Sequence, residues 1–382
     1  MRVLLVATAT RWIGPMRMPR ALARAGFEVL LLAPQGSLVE KSRFLARTER
    51  LPDHATPVQW LAAFVDVVSA TSPRLVLPCD DVAFRLLQMV VQLPPPQGIA
   101  LGSHLQAAAL VRESLGDPDH YRVSVDKTLL PAAAQALGVR VPPHAPVGDP
   151  AAAKDFADAH GYPIVLKRAY GSAGEGVVIC ADRVELSAAL TTLTGQAAID
   201  FEGDSRAGIL AQAFIPGRVT YYSGAAWRGS VLTGYASDKI VAFPEPMGPT
   251  SVMRYRRAQD LRDASEKLIG GFGMSGMFTI EFMIHDQSRE AYLLEINRRF
   301  PPGAHRGAIL KIDLCAAMFA VLHGSPSPSR SALDPDEEGV RVNFPLEWLR
   351  DPHSHWLREY PVDVPWDEPE LIAAMLALRH ER

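Results

Sequence analysis

The 382-residue sequence has only three cysteines, Cys79, Cys180 and Cys315, far apart and without metal-ligand spacing. A disulfide framework and a cysteine-built zinc site are therefore not expected; the thiols read as small core residues of a protein in the reducing cytoplasm. No run of about 18 apolar residues occurs, so no membrane-spanning helix is expected. The opening MRVLLVATATRW holds an apolar run too short for a signal-peptide core and better suited to a buried first strand. A net charge of −3 gives no electrostatic reason to bind nucleic acid or an anionic membrane. Internal repeats are also lacking. What remains is the composition of a soluble globular protein, 48% hydrophobic and 21% charged, on a chain long enough for two or three domains.

The first hundred residues read as α/β. An apolar run at 3–7, a helix at 16–25 ended by Gly26 and a second apolar run at 28–33 make a β-α-β unit and imply a parallel sheet. A G-x-G-x-x-G is missing, which argues against dinucleotide binding. A further strand, 75–79, ends in Pro78-Cys79-Asp80-Asp81, where open α/β sheets place ligands. Asp80 and Asp81 are thus positioned to meet a substrate amine or simply to cap the following helix.

The character changes near residue 116. A capped helix is expected over 124–138, kinked or restarted by Pro131, and Asp149-Pro150 opens another that ends near Gly161. The strand PIVLK, 163–167, ends in Lys167, a charge costly to bury unless it meets an anion. Gly171-Ser172-Ala173-Gly174-Glu175-Gly176 follows, then a strand at 177–180. Strand, glycine loop and strand form a hairpin, not a Walker loop, and the Gly-Lys-Ser/Thr ending is missing. Such a loop either closes backbone N–H groups over phosphate oxygens or is merely a mobile turn. Strands at 208–215, 219–227 and 230–240, the loop PEPMGPT at 244–250 and a helix at 258–272 complete this part.

The stretch 277–300, MFTIEFMIHDQSREAYLLEINRRF, carries the most chemistry. Alternation puts Phe278, Ile280, Phe282 and Ile284 on one face of a strand and Glu281 on the other. In a second strand Tyr292, Leu294 and Ile296 share the apolar face, opposite Glu295 and Asn297. A simple hairpin turning at 288 makes Glu281 and Glu295 cross-strand neighbours, with Cβ atoms about 5 Å apart. Two carboxylates and an amide oxygen form a hard half-shell suited to Mg²⁺; the alternative is a solvated acidic face. A helix is expected over 307–323, a linker over 325–339, a strand at 340–344, and then a small appended subdomain rich in Trp, Pro and Arg.

Taken in order, a first lysine, the strand lysine, the glycine hairpin, a hinge and the acidic hairpin resemble the ATP-grasp superfamily of carboxylate–amine ligases, over roughly 124–324. The resemblance implies an N-terminal Rossmann-like parallel α/β domain (1–116), a two-lobed α+β ATP-grasp domain (117–325, small lobe about 124–210, large lobe about 211–325), and a linker with a C-terminal extension (326–382). It implies ATP and Mg²⁺, with Mn²⁺ as a substitute. Lys127 and Lys167 would hold phosphates, and Gly171, Ser172, Gly174 and Gly176 would cover them. Gln212, Ala213, Phe214 and Ile215 would read the adenine edge, and Glu281, Glu295 and Asn297 would hold the metal. Arg299 would lie near the transferred phosphate or the substrate carboxylate, with Lys167 beside it in the chemistry, and Arg254, Arg256, His305 and Arg306 are further substrate candidates.

The activity implied is ATP-dependent joining of a carboxylate to an amine through an acyl phosphate, yielding ADP and phosphate. The substrates would be small molecules, an amino acid or small carboxylic acid and an amine, with a homodimer as the assembly and no nucleic-acid or membrane partner. Two departures stand out: Val219 occupies the position of the usual ribose-binding glutamate, and Arg298 that of the proline in E-I-N-P-R. The competing readings are a bicarbonate-activating enzyme of the carbamoyl-phosphate or biotin-carboxylase kind, and a non-catalytic ATP-binding regulator. The first is weakened by the lack of an A-M-K-M segment and of a second grasp, the second by the complete acidic triad.

Overall fold

Short runs of Val and Leu with no polar interruption form the buried strands of the first sheet, whose edge strand, LARTERL, is polar and partly exposed. The computed structural model describes residues 1–52, 55–171, 174, 176–195, 208–245, 247–307, 311–325 and 339–379. Strands β1 (Arg2–Val6), β2 (Glu28–Pro34), β3 (Leu45–Leu51) and β4 (Leu75–Pro78) pair in parallel in the order β3-β2-β1-β4. Helices α1 (Met18–Arg24), α2 (Pro57–Thr71), α3 (Asp81–Gln92) and α4 (Leu101–Leu115) complete this N-terminal unit. Asp80 caps α3, accepting from the Ala83 N–H at 2.8 Å, and also accepts from Thr8 after β1. The capping reading therefore holds for Asp80.

The long helix expected over 124–138 is shorter. Pro131 lies in the first turn of α5 (Leu130–Ala136), where its missing N–H costs nothing, and turns precede it. A four-stranded antiparallel sheet follows, ordered β5-β8-β6-β7 from β5 (His144–Val147), β6 (Ile164–Arg168), β7 (Val177–Cys180) and β8 (Ile209–Ala213). Helices α6 (Pro150–His160) and α7 (Arg183–Gly195) cover one face, burying Ile164, Leu166, Ile209 and Ala211. Lys167 is in register with Leu210 and Val165 with Gln212, so Lys167 and Gln212 share the uncovered face.

The largest sheet has six antiparallel strands in the order β13-β12-β9-β10-β11-β14: β9 (Gly217–Trp227), β10 (Ser230–Ala242), β11 (Thr250–Arg256), β12 (Gly276–His285), β13 (Ala291–Asn297) and β14 (Val340–Val342). Helix α8 (Gln259–Gly271) and α5 pack on one face over Phe278, Ile280, Phe282 and Ile284. Helix α9 (Leu314–Leu322) packs on the other, together with α1 of the first unit. Asp313 caps α9, and Ala304–Arg306 is a 3-10 turn; of the helix expected from 307, residues 308–310 lie outside the described residues.

The last forty residues are not a separate subdomain. β14 extends the large sheet beside β11, and α12 (Pro369–Ala377) buries Leu371 and Met375 against Met16 and Leu38, with α10 (Leu346–Arg350) and α11 (His355–Glu359) between. Asp363 joins these layers: it accepts from His305 at 2.9 Å and from the Phe344 N–H at 2.7 Å, and also pairs with Arg306 and Arg17.

Candidate active site

β12 and β13 deliver the acidic pair. Their register sets Glu281 opposite Glu295 and Thr279 opposite Asn297. A bulge then follows: Phe282 pairs with Leu293, not with Leu294. Strict alternation therefore fails toward the turn, and Leu293, not Leu294 or Tyr292, joins Ile296 in the core. The bulge leaves the acidic end of the hairpin in the simple register.

The Asn297 amide nitrogen donates to Oε1 of both glutamates at 3.1 Å, and its oxygen accepts from Arg299 at 2.9 Å. Burial, with Glu295 close by, pushes the Glu281 carboxyl up. Burial would raise Glu295 as well, but Lys127, Lys167 and the Asn297 hydrogen bond outweigh it and hold Glu295 low. The cations thus prevail at Glu295, whereas Lys239, Arg299 and Lys127 do not offset the desolvation of Glu281. That imbalance, with a hard oxygen donor set, fits a divalent ion such as Mg²⁺. Among the described residues no three His, Cys, Asp or Glu side chains cluster for a metal, so the third donor would be the Asn297 amide.

Cations surround the pair. Lys127 Nζ is 3.2 Å from Glu295 Oε2 and also donates to the Gly171 carbonyl at the start of the glycine loop. Lys167 is buried, which lowers its pKa to about 8 against the opposing pull of Glu295. Lys239 on β10 was not singled out from sequence. Burial lowers its pKa too, with Glu281 and Glu295 acting against the shift. Only the pairing of β10 with β9, and of β9 with β12, brings it there. Arg299 reaches back to Asp81, with Nε at 3.0 and 3.2 Å from the carboxylate oxygens, and its Cζ lies 5.5 Å from the Trp12 ring centre. Asp81 therefore orients an arginine rather than meeting solvent alone.

The glycine loop joins β6 and β7 as a hairpin, with the Arg168 N–H bonded to Gly176 O at 2.8 Å. Gly174 has φ +85°, and a Cβ there would stand 2.8 Å from Met247 Cβ, so this loop and the 244–250 loop touch. Ser172 lies outside the described residues. In the hinge, the Ala213 N–H bonds Pro143 O at 2.9 Å, and Phe214 and Ile215 are half-buried beyond the strand. Gln212 is 2% exposed, and its amide nitrogen has no hydrogen-bond partner among the described residues. A buried orphan donor on the face that carries Lys167 fits a ligand bearing acceptors.

Three substrate candidates need correction. Arg254 and Arg256 are in register with Asp238 and Ala236, on the sheet face opposite Glu281; Arg256 lies 3.5 Å from Asp238 and Arg254 is exposed. The one-residue phase of β11 decides this. Arg306 is 1% exposed and bonds Tyr255 Oη at 3.1 Å, Asn343 and Asp363, so it braces the wall rather than lining the cavity. His305 does line the cavity, pinned by Pro302 O and Asp363 at 2.9 Å each.

A family model described as the carbamoyl-phosphate synthase L chain, ATP binding domain, matches residues 126–215. Human mitochondrial pyruvate carboxylase is 27% identical over 239 residues, 59% of this chain and 19% of that protein, so the chain spans about a fifth of the length of the relatives it matches. Among solved structures, a biotin carboxylase from Campylobacter jejuni in a β,γ-ATP complex has TM-score 0.64 at 17% identity, covering 87% of this chain and 72% of the other. N5-carboxyaminoimidazole synthetase from Staphylococcus aureus gives 0.62 at 13% identity over 86% and 79%. An L-amino acid ligase from Bacillus licheniformis gives 0.58 at 16% identity over 89% and 77%. The chain shares the fold of these solved structures, and residues 126–215 within it match the ATP-binding model.

Proposed function

We propose that the protein is an ATP-dependent carboxylate–amine ligase. The γ-phosphoryl group of ATP passes to a substrate carboxylate, and an amine then displaces phosphate to form an amide or peptide bond, leaving ADP and phosphate. The observation that carries this reading is the half-buried Glu281–Glu295 pair among Lys127, Lys167, Lys239 and Arg299. Two anions, a triphosphate and a carboxylate, approach each other only where positive charge is already in place.

In this reading Lys127 and Lys167 hold phosphate oxygens, and Gly171, Ser172, Gly174 and Gly176 lie over them. Gln212 to Ile215 face the adenine, with the orphan Gln212 amide as a donor to the nucleotide. Glu281, Glu295 and Asn297 would hold Mg²⁺ or Mn²⁺, which when bound supplies charge neutralisation between phosphate and carboxylate. Arg299, fixed by Asp81, orients the carboxylate. The contact of Gly174 with Met247 supports a closure that keeps water from the acyl phosphate. Val219 leaves the ribose without the acid usual in this superfamily. The setting is the cytoplasm; the partners are small molecules, with a second copy of the chain as the one macromolecular partner. Among the described residues no helix is long and apolar enough to cross a membrane.

Incubation with ATP, Mg²⁺ and pooled acids and amines tests the reading. ADP and phosphate that depend on one acid and one amine support it; AMP and pyrophosphate overturn it. A second reading, bicarbonate activation, is favoured by the similarity to pyruvate carboxylase and biotin carboxylase. ADP release that needs bicarbonate and no other acid would select it.

A further inference from the structure

Beyond the carboxylate pair lies a cavity of about 170 Å³ that neither Lys167 nor Gln212 lines. It is therefore distinct from the uncovered face of the small-lobe sheet. One end holds Glu281, Asn297 and Arg299. Polar Tyr221, Ser237 and Lys239 stand beside that end, and an apolar wall follows: Trp12 and Met16 from the loop after β1, Met253 from β11, and Phe344 and Leu346 from the C-terminal extension. The polar groups at its far end are already engaged. Arg17 donates to Asp363 and to Phe344 O at 2.8 Å, and Asp363 accepts from His305, Arg306 and the Phe344 N–H. That cluster closes the wall at this end, its polar groups turned to one another. Trp12 is half-buried and lies over Arg299, so an apolar surface begins directly beside the arginine that would take the carboxylate.

We infer that the acid activated here carries a bulky apolar side group, aromatic or branched aliphatic, seated against Trp12, Met16, Met253 and Phe344. Trp12 is the specificity-determining residue, since its indole is the wall nearest the reacting carboxylate. Hydrophilic small acids would leave this surface unfilled and lose its contribution to kcat/KM. The inference rests on the ligase reading and deepens it.

The test traps the acyl phosphate with hydroxylamine: nitrogen bonds to the acyl carbon, the acyl carbon–oxygen bond to phosphate breaks, phosphate leaves and the nitrogen loses a proton. Hydroxamate and ADP are measured with 3-phenylpropionate, 4-methylpentanoate, phenylalanine and leucine against acetate, succinate, glycine and bicarbonate. The expected result is a preference for the first set, lowered roughly tenfold or more in Trp12→Ala and retained in Trp12→Phe. The readout is a ratio of two acids on one enzyme, so a general loss of activity does not move it. Calorimetric binding of 3-phenylpropionate against acetate, with Mg²⁺ and a non-hydrolysable ATP analogue, repeats the comparison without turnover. A preference for the small or charged acids with ADP still formed overturns the inference alone. Equal calorimetric binding of the two acids overturns it as well. No ADP with any acid, bicarbonate included, removes the ligase reading itself.

Discussion

Asp363, near the C-terminus, lies 3.2 Å from the guanidinium of Arg17, at the start of the first helix. The contact closes the cavity wall with His305 and Arg306 and makes stability depend on pH. Burial holds His305 down to about 4, with Arg17 and Arg306 adding to the shift and Asp363 opposing it. Between its ordinary 6.5 and about 4, the unfolded chain binds a proton that the native chain does not. Stability therefore falls as pH falls through that window, by up to about 1.4 kcal/mol per pH unit. Burial would raise Asp363, but Arg17, Arg306 and His305 outweigh it and hold it far below its usual range. Its contribution is present above about pH 4 and is lost only below that. His305→Gln should flatten the profile between pH 6.5 and 4, checked by urea unfolding at each pH; an unchanged slope would show that His305 is not the group responsible.

Glu281 and Glu295 repel each other in the absence of a cation. Glu281→Gln should raise the melting temperature in EDTA while abolishing the further rise on adding Mg²⁺ and ATP. Turnover should drop by about three orders of magnitude or more in Glu295→Ala, because charge neutralisation at the phosphate is lost. Scanning calorimetry with and without metal, beside an ADP assay, reads both effects. Wild-type turnover in Glu295→Ala would sink the metal assignment.

Lys167 is a buried cation whose pKa is lowered to about 8 by burial, with Glu295 resisting the shift. Lys167→Met exchanges a desolvated charge for an apolar chain of similar length. The apo protein should lose little stability or gain some, whereas stabilisation by ATP, about 2.7 kcal/mol at a hundredfold excess over Kd in the native protein, should disappear. An unchanged thermal shift with ATP in this variant would remove Lys167 from the nucleotide site.

Arg298 stands where the superfamily resemblance expects proline. It points away from Asn297 and Arg299 into the N-terminal unit, donating to Ser124 Oγ at 3.1 Å and to Leu115 O. Its Cζ lies 4.9 Å from the Phe84 ring centre and 5.4 Å from that of Tyr121. Arg298→Ala would remove both hydrogen bonds, although Leu115 O keeps the Ser275 N–H and Ser124 Oγ keeps Tyr121 O, and would open a void between the two rings. A loss of about 3 kcal/mol in urea unfolding is expected. A change under about 0.5 kcal/mol would mean that the arginine does not tie the acidic strand to the first unit.

The elements legible in the sequence are those set by contacts close along the chain. Alternation of Phe278, Ile280, Phe282 and Ile284 fixed the face of Glu281, and a short turn fixed its partner as Glu295. The run PIVLK announced a buried lysine for the same reason. Local pattern failed where one residue of register mattered: the bulge that buries Leu293 and the phase of β11 that turns Arg254 and Arg256 away. A period of two says which residues share a face but not which face looks at the site. That is settled by pairing with distant strands. Lys239, Trp12 and Asp363 enter the site through β10, the first sheet and the C-terminal extension, segments up to 351 positions apart in the chain. Sequence by itself thus determined the acidic pair and the buried strand lysine, which follow from strand alternation and a short turn. Only the tertiary structure decided the cavity wall beside Arg299, because its residues meet solely through packing of segments distant in the chain.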